Sequence, residues 1–177
     1  TLFRSYLIYR LRQAFSLISD EQLVLSTAFG YQLNPNLHIT TDFQKFDELT
    51  VAAAKATSVV NKVGLMEKAV ELYQGKLLSS AEGEHWLVHT ANRYHFAYMS
   101  TANELLKQLM TIHAYDLIHQ YAALALTIAP ENTKTYYWLI QSYLKQNMEE
   151  MATGELVAAR QKLPDEEYQK LLQELKK

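Results

Sequence analysis

The sequence predicts a mainly α-helical protein, an array of about seven helices that follows a short N-terminal helix and a β-hairpin. Only five glycines and three prolines occur in 177 residues, which favours long helices joined by short connections. Beyond residue 41, apolar residues recur at steps of three and four, as on one face of a helix. Two segments of the chain also match each other at an offset of about 34 residues, the length of one helix hairpin.

The matching segments are residues 114–130 and 148–164. When they are aligned, Ala125 falls on Ala159, and a proline ends each segment. Alanine lets two helix backbones approach closely, because its side chain is short. Proline ends a helix, because it lacks the backbone N–H that the helix needs. A repeat of about 34 residues with this pattern resembles the tetratricopeptide repeat (TPR), and we therefore predict a TPR-like array.

The bulk composition limits the kinds of partner. A formal net charge of -2 provides no overall attraction for DNA or anionic lipid, so any DNA-binding surface must be local. The absence of cysteine excludes disulfides and thiolate metal sites. No apolar run approaches the roughly 18 residues of a membrane span. We therefore expect a cytoplasmic protein without a signal peptide and without a membrane partner.

Residues 1–18 are predicted to form an amphipathic helix. With 100° per residue, Tyr6, Tyr9, Arg10 and Arg12 share the polar face, and no acidic residue occurs before Asp20. We expect the opposite, apolar face to be covered by the hairpin, by the helical array or by another chain. That apolar face consists of Leu7, Leu11, Phe15 and Ile18.

A short hairpin is predicted next. Residues 22–35 contain β-branched and aromatic side chains around Ala28-Phe29-Gly30, a plausible turn or bulge, and the predicted strands are residues 23–26 and 31–33. Asn34-Pro35-Asn36 then breaks the chain. We place a domain boundary here, with one domain at 1–36 and the helical array at 37–177.

Seven helices are predicted in the array. Thr41 and Gln44 have the spacing of a capping box at the first helix, and Gly64 is predicted to separate the first helix from the second. Asn132 and Asp165 are predicted N-caps of later helices. The predicted helices span residues 41–61, 65–73, 84–112, 114–128, 133–146, 148–162 and 166–176.

No pattern indicates a catalytic or metal centre. His85 and His89 have the i, i+4 spacing of metal ligands, but no third ligand is evident, so surface histidines are the better interpretation. The paired acids Glu149 and Glu150 lie in a predicted first helical turn, where the helix dipole favours them. There is no glycine-rich phosphate loop, serine elbow or cysteine nucleophile. We expect a protein that is not an enzyme and has no cofactor and no metal.

Three consecutive aromatic residues, Tyr136, Tyr137 and Trp138, are the candidate protein-binding site. They cannot all face the core of one helix, so at least one should be exposed or line a groove. Exposed aromatic side chains are common anchors of protein contacts.

Residues 42–177 resemble the bacterial transcriptional activator domain, the helical-repeat module of regulators of the SARP (antibiotic regulatory protein) type. The resemblance lies in Asp42-Phe-x-x-Phe46, in Ala69-Val-Glu-Leu-Tyr-Gln-Gly-Lys-Leu-Leu78, in Trp86 at the start of a long helix, and in Ala125-Leu-Thr-Ile-Ala-Pro130.

Residues 1–34 resemble the last third of an OmpR-type winged helix. Residues 6–15 are similar to its recognition helix, and residues 24–33 are similar to its wing. The resemblance implies a set of DNA contacts, and it also implies that the chain is a fragment of a longer regulator. The wing position Thr27 departs from the family, because it is often basic in relatives. The implied contacts are Tyr6, Tyr9, Arg10, Arg12 and Thr27.

Two functions follow as hypotheses. In the first, a bacterial transcription regulator reads double-stranded promoter DNA through the winged helix. Its helical module then contacts RNA polymerase, another regulator or a second copy in a homodimer. In the second, the chain is a helical-repeat adaptor that binds a protein or peptide and has no DNA role.

Overall fold

The computed structural model describes residues 2–75 and 85–176, without the side chains of residues 2, 3 and 86. The chain divides into two compact units, Thr1–Thr41 and Asp42–Lys177.

Unit 1 consists of a helix and an antiparallel hairpin, as predicted. Helix α1 spans Leu2–Phe15, strand β1 spans Val24–Thr27, and strand β2 spans Gly30–Leu33. The two strands pair in a register that sets Val24 opposite Leu33 and Thr27 opposite Gly30.

The apolar face of α1 is only partly covered within unit 1, so its cover by another chain stays a prediction. Phe15 is half-buried, but Leu7 and Leu11 are 48% and 43% exposed, and Ile18 is 79% exposed. A single helix and a two-stranded hairpin have too few side chains to enclose a core of their own. This face is therefore open to solvent in the chain described here.

Unit 2 is an array of helices that pack mainly against their neighbours in sequence, as the TPR-like prediction requires. Helix α4 also packs against α6, and α6 against α8. The helices are α2 (Asp42–Lys55), α3 (Val59–Leu72), α4 (His85–Thr111), α5 (Tyr115–Ile128), α6 (Thr133–Lys145), α7 (Glu149–Lys162) and α8 (Asp165–Leu175).

The predicted break at Gly64 is wrong. Helix α2 ends at Lys55, and α3 begins at Val59 after Ser58, whose backbone is extended. Gly64 lies inside α3, where it is tolerated because its neighbours Val63 and Met66 are buried in the core. A glycine inside a helix costs only about 1 kcal/mol relative to alanine, so buried neighbours can compensate for it.

The predicted N-caps have different outcomes. The side chain of Asn132 accepts a hydrogen bond from the Thr135 N–H, as predicted for an N-cap. Pro164 takes the N-cap position of α8, and Asp165 is instead the first helical residue. The Asp165 carboxylate pairs with Arg160 of the preceding helix, and it still lies at the positive end of the helix dipole.

The 34-residue repeat extends to the backbone conformation. Helices α5 and α7 each contain 14 residues and start at residues 115 and 149, an offset of 149 − 115 = 34. The turns before them contain His113 and Asn147, whose φ angles are 58° and 57°. At the ends of the two helices, the N–H groups of Ala129 and Leu163 each bond a carbonyl four residues back, in both cases at 2.8 Å. The two hairpins therefore have the same local geometry.

Two hydrophobic clusters stabilise unit 2. The larger one joins α2, α3, α4 and α5 and reaches Leu139 of α6. The smaller one joins α6, α7 and α8 around Ile140, Ala159 and Leu171. Helix α6 supplies residues to both clusters, so it connects the two halves of the array.

Two buried tyrosines on α4 differ in whether their hydroxyl groups are hydrogen-bonded. The Tyr94 hydroxyl donates a hydrogen bond of 2.8 Å to the Asp47 carboxylate on α2. The Tyr98 hydroxyl, one turn later, has no hydrogen-bond partner in the part of the chain that the structure describes. Tyr98 is fully buried, and burial, with a contribution from Tyr73, raises its pKa to about 12.

The substitutions Tyr94→Phe and Tyr98→Phe are therefore expected to have opposite effects on thermal unfolding. Removal of the bonded hydroxyl should lower the free energy of unfolding by about 1 kcal/mol, and removal of the unbonded one should leave it unchanged or raise it. Equal losses in the two variants would show that Tyr98 has a hydrogen-bond partner after all.

Candidate functional surfaces

The exposed face of α1 is the first candidate surface. Tyr6 and Tyr9 are more than half exposed, and Arg10 is also exposed. Helix α1 contains no acidic residue, so nothing on this helix neutralises its arginines. The Tyr9 hydroxyl accepts a hydrogen bond of 2.7 Å from the Gln13 amide, which orients the phenol ring on this face. Three of the five predicted DNA contacts therefore lie together on one accessible surface.

Arg12, the fourth predicted contact, is engaged within unit 1. Its Nε donates a 2.9 Å hydrogen bond to the Val24 carbonyl, and its Nη2 donates a 2.9 Å hydrogen bond to the Ser26 hydroxyl. Its guanidinium carbon lies 5.9 Å from the centre of the Tyr31 ring. Arg12 thus ties α1 to both strands of the hairpin, a role that depends on tertiary structure and that sequence reasoning missed. Its contact with DNA stays a prediction.

Thr27, the fifth predicted contact, shapes the hairpin turn. Its hydroxyl accepts a hydrogen bond from the Phe29 N–H at 3.3 Å and donates one to the Gly30 carbonyl at 3.2 Å. Gly30 has a φ of 135°, a backbone conformation that residues other than glycine rarely adopt. The turn is therefore fixed by both residues, and Phe29 stands at its tip.

The second candidate surface is a groove in unit 2 of about 780 Å³. It lies between α4, α6 and α8, and its lining includes Met99, Tyr137 and Trp138. The Tyr137 and Trp138 rings are half-buried and meet edge to face, with their centroids 4.9 Å apart. Charged side chains of both signs also line the groove. Aromatic side chains of this kind are common anchors of protein contacts.

Tyr136 does not belong to this surface, which corrects one residue of the predicted protein-binding site. It is 4% exposed and belongs to the smaller hydrophobic cluster. The helical period explains the difference, because adjacent residues on one helix point about 100° apart. Tyr136 therefore faces the core, while Tyr137 and Trp138 reach the groove.

A histidine and a serine that could suggest catalysis are a packing pair. His119 Nε2 lies 3.0 Å from the Ser142 Oγ, and the His119 ring stacks on Tyr143. Ser142 is fully buried, and its hydroxyl donates a 2.7 Å hydrogen bond to the Leu139 carbonyl. The serine is thus inaccessible to a substrate, and the pair joins α5 to α6.

His119 should make the stability of unit 2 depend on pH. Burial lowers its pKa, against an opposing effect of Asp116, so the folded state disfavours the protonated ring. The His119 contribution to stability is therefore fully present above the unfolded pKa of about 6.5 and is lost as pH falls towards the lower folded pKa. In urea unfolding at pH 7.5 and at pH 5.5 (about one unit either side of that pKa), wild type should lose stability relative to His119→Gln. A constant difference between the two proteins would contradict this.

The described residues contain neither a metal site nor a membrane-spanning helix. No group of three or more His, Cys, Asp or Glu residues in those ranges is arranged to hold a metal ion. Within the same ranges, no helix combines the length and apolarity needed to cross a membrane.

Comparison with known proteins identifies the family of unit 2. No curated protein matches the chain. The family model of the bacterial transcriptional activator domain matches residues 41–177, which include helices α2 to α8. The chain therefore belongs to the bacterial transcriptional activator domain family.

Proposed function

We propose that this chain is part of a bacterial transcription regulator of the SARP type, in which unit 1 binds promoter DNA and unit 2 binds a protein. The family assigns unit 2 to an activator-type module of bacterial transcription. Unit 1 is interpreted as the recognition helix and wing of an OmpR-type winged helix. Neither unit acts as an enzyme in this proposal.

The observation that carries the DNA role is the exposed face of α1. It presents Tyr6, Tyr9 and Arg10 to solvent without a neighbouring acid on the helix. The major groove of B-DNA is about 12 Å wide and accepts an α-helix, and arginine and tyrosine side chains are common donors to phosphate oxygens. Arg12 supports this role by holding the hairpin against the helix.

The groove of unit 2 supports the protein role. Tryptophan and tyrosine are enriched among residues that dominate binding energy in protein interfaces, and both line the groove through Trp138 and Tyr137. The partner in this proposal is RNA polymerase, another regulator or a second copy of the chain.

Salt-dependent binding of the full-length gene product to duplex DNA tests the DNA role. Arg10→Ala should weaken binding and reduce the slope of log K against log salt by about 0.9, because one phosphate contact is lost. Lys68→Ala is the matched control, since Lys68 is an exposed cationic residue on α3 of unit 2 and its loss should leave the slope unchanged. Absence of binding at low salt, or equal slopes for wild type and Arg10→Ala, would refute the proposed contact surface.

A helical-repeat adaptor without a DNA role is the second candidate, and the same groove favours it. Under this alternative the protein binds no DNA at low salt, while a protein partner is retained by wild type and lost on Tyr137→Ala. Phe96→Ala is not a suitable control, because Phe96 also lines the groove. Val60→Ala is suitable, because Val60 is exposed on α3 and is not among the lining residues.

A further inference from the structure

The tip of the hairpin presents a phenylalanine entirely to solvent. Phe29 is fully exposed, and nothing in the described part of unit 1 covers its ring. The turn beneath it is held by the hydrogen bonds of Thr27 and by the positive φ of Gly30. The ring therefore projects from an ordered turn. Little backbone entropy of this turn remains to be lost when a ligand covers the ring.

The hairpin has no charged residue from Val24 to Leu33. It therefore cannot strengthen DNA binding through counterion release, which requires cationic side chains at phosphates. Exposed phenylalanine has a different use in DNA recognition, because apolar wedges enter the minor groove between base pairs, partly unstack them and kink the duplex.

The hairpin also has a defined position beside α1. The Tyr31 hydroxyl lies 3.3 Å from the Ser5 hydroxyl in the first half of α1, and Phe29 is two residues before Tyr31. Arg12 also bonds Val24 and Ser26 of β1, so both strands of the hairpin are held against α1. Phe29 therefore lies in a turn whose two flanking strands both contact α1, the helix that carries Tyr6.

We infer that Phe29 is an apolar wedge that enters the minor groove of the duplex bound by α1. This inference rests on the proposed DNA role of unit 1. The wedge contributes affinity without a salt dependence, whereas Arg10 contributes through salt-dependent phosphate contact. It also favours flexible pyrimidine–purine steps such as TA, which kink more easily than other steps.

The test uses the full-length gene product and a duplex labelled at both ends for fluorescence energy transfer, with a central TA step. Phe29→Ala should weaken binding about tenfold, leave the salt slope unchanged and reduce the bend of the duplex. Phe29→Leu should retain most of the affinity and the bend, because leucine also serves as a wedge. Leu17→Ala is the control, since Leu17 is an exposed apolar residue of the same unit and lies after α1.

Three possible results distinguish the wedge inference from the proposed DNA role of unit 1 on which it rests. Loss of affinity and bend in Phe29→Ala at constant slope, with rescue by leucine, supports the wedge. Wild-type affinity and bend in Phe29→Ala, together with a reduced slope in Arg10→Ala, overturns the wedge and leaves the DNA role intact. Absence of binding by wild type at low salt overturns the DNA role and the wedge together.

Discussion

Leu106→Ala is expected to lower the free energy of unfolding of unit 2 by about 2–5 kcal/mol. Leu106 lies on α4, is fully buried and belongs to the larger hydrophobic cluster. Truncation removes apolar surface that folding takes out of water, and it leaves a cavity that close-packed neighbours fill only in part. The expected loss is a large fraction of the stability of an ordinary domain.

Leu124→Ala is the matched control, because Leu124 lies on the adjacent helix α5 but is 37% exposed. It should cost less than half as much, since less apolar area is removed and water can occupy the space. Urea unfolding followed by tryptophan fluorescence measures unit 2 specifically, because the two tryptophans of the chain, Trp86 and Trp138, both belong to it. Similar losses in the two variants would show that α4 and α5 do not meet in a packed core.

A loss of core packing in unit 2 should also affect the candidate protein-binding groove. Helix α4 supplies Met99 to the groove and Leu106 to the core, and α6 supplies Trp138 to the groove and Leu139 to the same core. A variant that loosens the contact between α4 and α6 should therefore weaken partner binding without any change in the lining residues. Stability must be measured for each groove variant before its effect on binding is interpreted.

The repeat was the part of the fold that the sequence predicted best. The matched alanines and prolines marked the ends of α5 and α7, and the structure repeats the same turn and end geometry at the same offset. Such signals are local, because a proline or a run of small residues acts on its own helix. The two repeats carry the same local signals, and both give the same helix length and the same helix end.

The Gly64 error occurred where tertiary packing overrides a local preference. Gly64 has a weak preference against helix, and burial of Val63 and Met66 on either side overcomes it. Asp165 had the chemistry of an N-cap, but Pro164 occupies that position. The sequence alone could not predict the Gly64 outcome, because it depends on which neighbouring residues the fold buries. The Asp165 error is a shift of one residue at the helix start, and helix ends are the least certain part of such predictions.

The candidate surfaces also differ in how far the sequence could predict them. Exposure of Tyr6, Tyr9 and Arg10 followed from the helical period of one segment. The ties from Arg12 to Val24 and Ser26 cross from the helix to the hairpin and could not be found by counting along a helix. The groove brings together Met99, Tyr137 and Glu174 from three helices, so its outline needed the packing of the array.

Ala125→Leu is the second large effect expected. Ala125 is 2% exposed on α5, and its repeat equivalent Ala159 on α7 is fully buried. Leucine at this position adds three carbon atoms to a packed interior, which should cost about 1–3 kcal/mol through displaced side chains and backbone. For a unit of this size, thermal unfolding should move down by roughly 3–6 °C for each kcal/mol lost.

Ala123→Leu provides the comparison, since Ala123 lies on the same helix and is exposed. Alanine and leucine have similar helix propensities, so both substitutions change helix propensity little. A difference in unfolding temperature between the two variants therefore measures packing alone. If Ala125→Leu unfolds at the temperature of Ala123→Leu, α5 has room for a larger side chain. The repeated alanines would then not determine the distance between helices, and packing in the core would not explain why alanine recurs after 34 residues. If only Ala125→Leu is destabilised, close approach of the helices explains why both repeats place alanine at this position.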